Sequence, residues 1–306
     1  MIKRRIGALR VSVVGLGCNN FGRRLDAEAT AKVVHAALDA GINFFDTADT
    51  YGGTQSEVFL AQALGKKRKG LVIATKFGST VDDQRKGARP EYVKRAVEDS
   101  LSRLRTDHID LYQLHKPDPA VPIVDTLGAL DDLVKAGKVR EIGCSNFSVA
   151  QLTEAEHAAG PGAVRFVSVQ NEYSLLHREP EQGVLAECAA LGMSFLPYFP
   201  LASGLLTGKY RKGKPIPEGS RLASGWKEET FTDENLSRVE QLIAFAEERG
   251  HTILELAFSW LLTRPMVASV IAGATKPGQV TANAAAAEWD LEESELEEIN
   301  RIVGGP

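Results

Sequence analysis

Three early apolar runs of the sequence lead into side chains that can exchange or stabilise protons. Asp46 ends one run and Tyr51 lies five residues beyond it, whereas Lys76 and His115 each follow directly after a later run. Taken singly, each has an ordinary structural explanation: a capping aspartate, a packed tyrosine, a solvated lysine or a structural histidine. An acid, a phenol, an amine and an imidazole at successive run ends together indicate one shared site.

The four groups are chemically consistent with one another. A phenol with a pKa of about 10 is a poor acid at neutral pH, and the Lys76 ammonium would lower the pKa of Tyr51 by favouring phenolate. The Asp46 carboxylate would keep Lys76 charged and oriented. The His115 imidazole can hydrogen-bond the carbonyl oxygen that Tyr51 protonates. We therefore predict a proton donor for a carbonyl that receives hydride, which requires a cofactor because no side chain supplies hydride.

These side chains need a scaffold that brings run ends together, and the sequence alternates short apolar runs with segments of helical period. The runs predicted as strands are residues 13–16, 43–46, 71–75, 109–114, 141–144, 166–169, 194–196 and 267–271. The helices predicted after them are residues 27–40, 56–64, 90–104, 122–136, 148–158, 181–190, 233–249 and 277–287, with extra helices at 252–262 and 292–302.

The alternation predicts right-handed βαβ units, and eight units predict an α/β fold of the (β/α)8 TIM barrel type, in a single domain over residues 1–306. The alternative is an open, doubly wound sheet, which normally carries a GxGxxG turn after its first strand. Residues 15–22 instead read GxGxxxxG, with no clear acidic partner for a ribose. We favour the barrel, whose C-terminal face would gather the run ends.

Two other motifs are weaker. Residues 204–210, GLLTGKY, resemble a phosphate-binding P-loop but are one residue short and lack Ser or Thr after the lysine. His108 and Asp110 resemble a pair of metal ligands, yet no Cys/His cluster accompanies them, so we expect no metal site. Nucleotide hydrolysis and metal chemistry are therefore disfavoured.

Composition limits the class of partner. The chain has 306 residues, is 43% hydrophobic and 25% charged, and carries a net charge of −4. These values suit a globular protein and exclude a collagen or a coiled coil. The charge gives no general attraction to nucleic acid or to anionic lipid. We expect a small-molecule substrate instead.

Cysteine usage and hydropathy indicate the compartment. The three cysteines lie far apart, form no CxxC motif and are odd in number, which fits a reducing environment. The N-terminus lacks the apolar core of a signal peptide. The long uncharged stretch 188–208 holds two prolines and three glycines, which a membrane-spanning helix rarely does. We predict a cytoplasmic protein with no membrane partner.

Six motifs resemble those of the aldo-keto reductase family, and the resemblance covers essentially the whole chain. They are GINFFDTADTYG at 41–52, TKFG at 75–78, IDLYQLH at 109–115, GCSNF at 143–147, QNEY at 170–173 and LASGLLTGKY at 201–210. The pattern is more similar to bacterial reductases related to potassium-channel β-subunits than to mammalian steroid and sugar reductases. The resemblance implies NADPH-dependent reduction of aldehydes or ketones, and a β-hairpin across the bottom of the barrel.

By this resemblance, the family's catalytic residues fall on Asp46, Tyr51, Lys76 and His115, with Tyr51 as the general acid. The residues expected to hold the cofactor are Ser145, Asn146 and Gln170 at the nicotinamide carboxamide, Tyr198 on the nicotinamide ring, Leu201 and Ser203 at the pyrophosphate, and Gly273, Thr275, Gln279 and Asn283 at the adenosine end.

The segment expected to bind the adenosine end departs from the family pattern. Gly273 and Gln279 stand where the better-studied branch has a Lys and an Arg, and Ala282 stands where it has a glutamate. Lys276 lies between the first two positions, and Pro277 can begin a helix whose N-terminus favours an anion. We expect Lys276 and this helix start to bind the 2′-phosphate of NADPH, although Lys276 can equally be a solvated loop lysine.

The substrate pocket is less defined. Its predicted walls are Asn20, Phe21, Phe77 and Trp226, the last within the long connection 208–233. Such aromatic walls suggest a compact apolar or aromatic carbonyl compound, although Phe21 and Trp226 can equally be packing residues.

Two other functions stay open: a cofactor-binding regulatory subunit with little turnover, and a lyase or isomerase that uses Lys76 as a Schiff-base amine. The sequence predicts no oligomeric state.

Overall fold

The chain begins with a β-hairpin that closes one end of a barrel. The structure, a computed structural model, describes residues 1–220, 222–225 and 230–304. Strands β1 (Lys3–Ile6) and β2 (Leu9–Ser12) pair antiparallel, and Gly7 makes the turn with a φ of 55°. The hairpin's apolar side chains Ile6, Leu9 and Val11 pack in the barrel interior. This confirms the expected hairpin and seals the interior from below.

Eight parallel strands form the barrel, which confirms the predicted fold. They are β3 (Val14–Gly17), β4 (Phe44–Asp46), β5 (Val72–Phe77), β6 (Ile109–Leu114), β7 (Val139–Ser145), β8 (Ser168–Glu172), β9 (Ser194–Tyr198) and β10 (Val270–Gly273). Their order is β10-β3-β4-β5-β6-β7-β8-β9. The ring closes where Phe195 N donates to Met266 O at 2.7 Å and Ala268 N donates to Phe195 O at 3.1 Å.

Ten α-helices surround the strands in the described ranges. They are α1 (Ala27–Asp39), α2 (Gln55–Leu64), α3 (Pro90–Leu104), α4 (Ile123–Lys135), α5 (Val149–Ala158), α6 (Val184–Leu191), α7 (Asp233–Glu247), α8 (Ile253–Leu262), α9 (Pro277–Ala285) and α10 (Glu293–Val303). Local signals fix several starts: Pro90 opens α3, and Ser148 and Thr252 form capping boxes on α5 and α8. Helices α8 and α10 are the extra C-terminal helices that the periodicity predicts.

Three elements differ most from prediction, and one is strand β10, which runs from Val270 to Gly273 where the apolar run predicts 267–271. Strand β8 runs from Ser168 to Glu172, whereas the apolar run predicts 166–169. Its polar end is held by pairing with β9, where Gln170 faces Leu196 and Glu172 faces Tyr198. Pairing with a neighbour therefore outweighs composition. The helix predicted at 181–190 divides into a 3₁₀ turn, Glu179–Gln182, and α6.

The barrel interior has an apolar lower part and a polar upper layer. The lower part includes Phe44, Val72 and Leu111 with the hairpin side chains. Nearer the C-terminal ends of the strands, buried side chains in the interior are polar; they are Asp46 on β4, Lys76 on β5, Gln113 on β6 and Gln170 on β8. This layer forms the floor of the candidate site. Across the described chain, every helix falls short of the length and apolar character needed to span a membrane.

Candidate active site

A buried ion pair lies at the centre of the polar layer. Lys76 Nζ donates to Asp46 Oδ2 at 2.6 Å and to the Thr47 carbonyl oxygen at 2.9 Å. Asp46 is 4% exposed and Lys76 is fully buried. Burying two charges costs stability unless they are paired and hydrogen-bonded. Both amide groups of the layer satisfy the other carboxylate oxygen, since Gln113 Nε2 and Gln170 Nε2 each donate to Asp46 Oδ1 at 3.1 Å.

Tyr51 reaches this pair from the loop that follows β4. Its hydroxyl lies 3.5 Å from Lys76 Nζ. The loop is tied at both ends: Thr47 N donates to Ala74 O at 2.9 Å, and Ser56 N donates to Tyr51 O at 3.2 Å. The Thr47 and Ser56 hydroxyls also hydrogen-bond each other at 2.8 Å. The phenol is thereby positioned beside an ammonium at the edge of a cavity.

The electrostatics of Tyr51 and Lys76 differ from the simplest expectation. Burial raises the pKa of the Tyr51 phenol, and although the Lys76 charge acts to lower it, the net shift is upward. Burial alone would lower the pKa of the Lys76 ammonium, but Asp46 and Tyr51 outweigh burial and raise it. Lys76 therefore stays charged at neutral pH. Its effect on Tyr51 is to limit a rise in pKa, not to bring that pKa below 10.

His115 lies on the other side of Tyr51. The two rings meet edge to face, with centroids 5.8 Å apart. Burial, with the positive charges of Lys76 and Lys116, lowers the pKa of His115 to about 3. The imidazole is therefore neutral at physiological pH and can donate one N–H without carrying a charge. Its Nδ1 atom is buried and has no hydrogen-bond partner among the described residues.

A cavity of about 860 Å³ opens beside this group of residues. At the catalytic end it is lined by Asp46, Tyr51 and His115, and at the far end by Lys276 and Asn283. All the predicted cofactor residues are in the lining of this one cavity: Ser145, Asn146, Gln170, Tyr198, Leu201, Ser203, Gly273, Thr275, Lys276, Gln279 and Asn283. A cavity of this volume, lined both by acid–base groups and by a helix start, suits a dinucleotide.

The wall beside the catalytic end is held by a chain of hydrogen bonds. Tyr198 OH donates to Asn146 Oδ1 at 2.8 Å, and Asn146 Nδ2 donates to the His115 carbonyl oxygen at 2.9 Å. Ser145 Oγ donates to the Gln170 carbonyl oxygen at 2.7 Å. Asn146 has a left-handed φ of 62°, which asparagine tolerates better than most residues. The contacts fix the Tyr198 ring and the Asn146 amide at the wall.

Backbone strain is concentrated in the segment that follows β9. Phe199, Ala202 and Ser203 all have positive φ, at 51°, 43° and 58°. Such conformations are costly for non-glycine residues and tend to mark ligand-binding segments. At Gly204, an added Cβ would lie 2.8 Å from Lys209 Nζ, so the glycine allows this cation to approach the strained loop. Lys209 lines the cavity here, which suits an anionic pyrophosphate.

At the far end, Lys276 is the N-cap residue of α9 and Pro277 is its first residue. Lys276 is exposed at the cavity rim. The Gln279 side chain folds back, and its Oε1 accepts hydrogen bonds from Thr275 N at 2.8 Å and from the Thr275 hydroxyl at 3.2 Å. Gln279 therefore shapes this loop, and Lys276 is the cation placed at the helix start.

The structure corrects part of the predicted substrate pocket. Asn20 lines the cavity, but Phe21 and Phe77 are fully buried in the core and are absent from its wall. Because side chains alternate along a strand, Phe77 must point away from the interior that Lys76 faces. Its ring stacks on the Tyr112 ring, with the two centroids 4.6 Å apart. Trp226 lies outside the described residues.

Several cavity residues were not predicted. Arg23 and Arg24 follow β3 and line the opening, and Arg24 Nη2 donates to the Gly219 carbonyl oxygen at 2.8 Å across the cleft. Lys209 lies at the strained loop. Two adjacent arginines in the loop after a barrel strand are a sequence signal that could have identified Arg23 and Arg24 as cavity residues. The described wall near Tyr51 is therefore more polar than the predicted aromatic one.

Comparison with known proteins gives consistent similarities. The model of the aldo/keto reductase family matches residues 13–303. The chain is 36% identical to aldo-keto reductase YhdN of Bacillus subtilis, over 96% of this chain and 91% of that protein. It is 35% identical to a probable voltage-gated potassium channel subunit beta of Oryza sativa subsp. japonica, over 90% and 87% of the two chains.

A solved structure of a related protein has the same fold. The glycerol dehydrogenase AKR11B4 from Gluconobacter oxydans superposes with a TM-score of 0.86 at 30% identity, covering 98% of this chain and 94% of that one. The barrel, its C-terminal cleft and these similarities define an oxidoreductase of the (β/α)8 barrel class. The chain belongs to the aldo/keto reductase family.

Proposed function

We propose that this protein reduces aldehydes or ketones to alcohols with NADPH. The observation that carries the proposal is the placement of the Tyr51 hydroxyl 3.5 Å from a fully buried Lys76 ammonium that is ion-paired with Asp46. A charged group at that point stabilises negative charge on the phenolic oxygen as its proton leaves. The arrangement supports Tyr51 as the general acid.

The remaining roles follow from the chemistry of each group. The neutral His115 imidazole can donate an N–H to a carbonyl oxygen and orient it toward Tyr51. Asp46 keeps Lys76 charged and fixed. The Tyr198 ring and the Asn146 and Gln170 amides would hold the nicotinamide at the cavity wall. When bound, the dinucleotide supplies the hydride.

The preference for NADPH rests on the far end of the cavity. A 2′-phosphate carries negative charge that a cation and a helix N-terminus stabilise. Lys276 is placed at the start of α9, next to Pro277. Ala282, at the position of the family's glutamate, also lines this end and adds no negative charge. We therefore assign the 2′-phosphate to Lys276 and the first turn of α9.

The domain organisation, the cellular compartment and the class of substrate are also part of the proposal. The family match over residues 13–303 supports a single domain. The three cysteines are unpaired and buried, and the net charge is −4, which support action on a small carbonyl compound in the reducing cytoplasm. The polar wall formed by Asn20 and Arg23, together with the likeness to a glycerol dehydrogenase, favours a small polar carbonyl substrate.

The test is a panel of carbonyl compounds followed by NADPH absorbance, comparing the wild-type protein with Tyr51→Phe. The panel should contain glyceraldehyde and dihydroxyacetone beside benzaldehyde and butanal. Loss of the acid should reduce kcat about 10²–10⁴-fold, while the Kd for NADPH stays within about twofold of the wild-type value. Near-normal turnover by the phenylalanine variant would refute the role of Tyr51.

A second candidate function is a regulatory subunit that binds the cofactor and turns over little. The likeness to a probable potassium channel β-subunit favours it. The same panel separates the two, because a regulatory subunit should bind NADPH and show negligible multiple turnover on every compound.

A further inference from the structure

Gln113 is a buried polar residue that touches neither the cavity nor solvent. It lies on β6 between Lys76 of β5 and Gly143 of β7 in the strand register. Its Nε2 atom donates to Asp46 Oδ1 at 3.1 Å, and its Oε1 atom has no hydrogen-bond partner among the described residues. A side chain of this kind costs stability, because a buried acceptor is left unsatisfied.

An apolar side chain could occupy the same space. The absence of a Cβ at Gly143 is what accommodates the stem of the residue-113 side chain, since a Cβ built on the glycine would lie 3.3 Å from Gln113 Cγ and 2.6 Å from Ser168 Oγ. Leu111, two residues earlier on the same strand, faces the same interior and packs among apolar side chains. A methionine of similar length at 113 would bury no unpaired oxygen. The amide therefore needs an explanation other than packing.

The second amide group that hydrogen-bonds Asp46, that of Gln170, supplies this explanation. Gln170 Nε2 donates to the same Oδ1 atom at 3.1 Å, and Gln170 also lines the cavity, whereas Gln113 does not. A Gln170 amide that turns to hydrogen-bond a nicotinamide carboxamide gives up its contact with Asp46. Gln113 is then the amide that still holds Oδ1, while Lys76 holds Oδ2 at 2.6 Å.

We propose that Gln113 is a positioning residue, which keeps the Asp46 carboxylate aligned on Lys76 while Gln170 serves the cofactor. This inference rests on the proposed reductase function. It predicts that the two glutamines have separate roles: Gln170 contributes to cofactor affinity, and Gln113 contributes to the rate of the step in which Tyr51 gives up its proton.

The test compares Gln113→Met, Gln170→Met and the core control Leu111→Met. In Gln113→Met we expect kcat to fall about 5–20-fold, part of what one hydrogen bond to a charged group contributes. The Kd for NADPH should not change, and the melting temperature should equal or exceed that of the wild type. Gln170→Met should weaken NADPH binding, and Leu111→Met should change neither kcat nor Kd.

A direct readout does not depend on turnover. The pKa of the Lys76 ammonium, followed by ¹⁵N NMR, is raised by the aligned Asp46 carboxylate and should fall in Gln113→Met. An unchanged kcat with an unchanged Lys76 titration would overturn the inference. So would a methionine variant that unfolds or melts well below the wild type, since Gln113 would then be structural. Wild-type inactivity on the whole panel refutes the proposed function instead, and the Lys76 titration still decides the role of Gln113.

Discussion

Replacing Lys76 with Met separates the structural and chemical consequences of the central ion pair. Lys76 is fully buried, and its Nζ atom has three neighbours: Asp46 Oδ2 at 2.6 Å, the Thr47 carbonyl oxygen at 2.9 Å and Tyr51 OH at 3.5 Å. Methionine keeps the length of the side chain and removes the charge. The Asp46 carboxylate would be left buried with only its two amide donors.

Breaking a buried ion pair on one side costs about 3–5 kcal/mol, because the remaining charge is uncompensated. At roughly 2–4 °C per kcal/mol, the melting temperature should fall by roughly 6–20 °C. The double variant Asp46→Asn/Lys76→Met removes both charges and should recover much of this loss. Melting curves of the two single variants and the double variant at neutral pH measure the coupling between the residues.

The same change has an asymmetric effect on catalysis. Burial already raises the pKa of Tyr51 against the opposing influence of Lys76, so losing Lys76 should raise it further. Reduction uses the protonated phenol, whereas alcohol oxidation uses phenolate. Near neutral pH, oxidation should therefore lose more activity than reduction, and its pH optimum should move upward. Initial rates in both directions across pH are the assay.

Two results would refute this reasoning. If the single Lys76→Met variant and the double variant were equally destabilised, the lost stability would not come from an Asp46 carboxylate left without the Lys76 ammonium. If both reaction directions kept their pH profiles, Lys76 would not influence the ionisation of Tyr51.

Three further predictions concern separate titratable groups. Burial and the nearby Glu57 carboxylate raise the pKa of Asp49 to about 7, so the folded state binds a proton more tightly than the unfolded chain. The unfolding free energy should therefore fall by about 4 kcal/mol between about pH 4 and pH 7 from this group, and Asp49→Asn should remove that slope and be the more stable protein at pH 8. The pKa of His115, about 3, predicts a C2–H NMR signal that does not titrate between about pH 5 and pH 8; a midpoint near 6.5 would contradict it. Lys276→Ala should weaken NADPH binding about 10–150-fold and leave NADH binding unchanged, and equal losses for both would remove the assignment.

The barrel was predictable because its strands are buried on both faces and its helices carry one apolar face. Helix α3 shows this well, since Pro90 starts it and Tyr92, Val93, Ala96 and Val97 are all buried. Strand β8 was less predictable, because its final residues are polar and are held by pairing with β9 and not by burial of apolar side chains.

The candidate site was predictable where run ends carry reactive side chains, as with Lys76 and His115. It was not predictable where function lies in the middle of a strand. Gln113 precedes Leu114 inside an apolar run, in the motif IDLYQLH whose predicted site residue is His115, so only the register of β5 with β6 places Gln113 beside Lys76. Phe77 was misplaced for a related reason: because it is adjacent to Lys76 in the sequence, its side chain lies on the opposite face of the strand.

The hairpin at the bottom of the barrel affects the chemistry at the top. Ile6 and Leu9 fill the interior below the polar layer, so the Asp46–Lys76 pair has apolar packing beneath it and a cavity above it. Charges with an apolar surrounding on one side interact more strongly than charges in water. Access from one side alone also directs the Tyr51 hydroxyl toward whatever occupies the cavity. The apolar lower end therefore strengthens the interaction of the Lys76 ammonium with Asp46 and with the Tyr51 phenol.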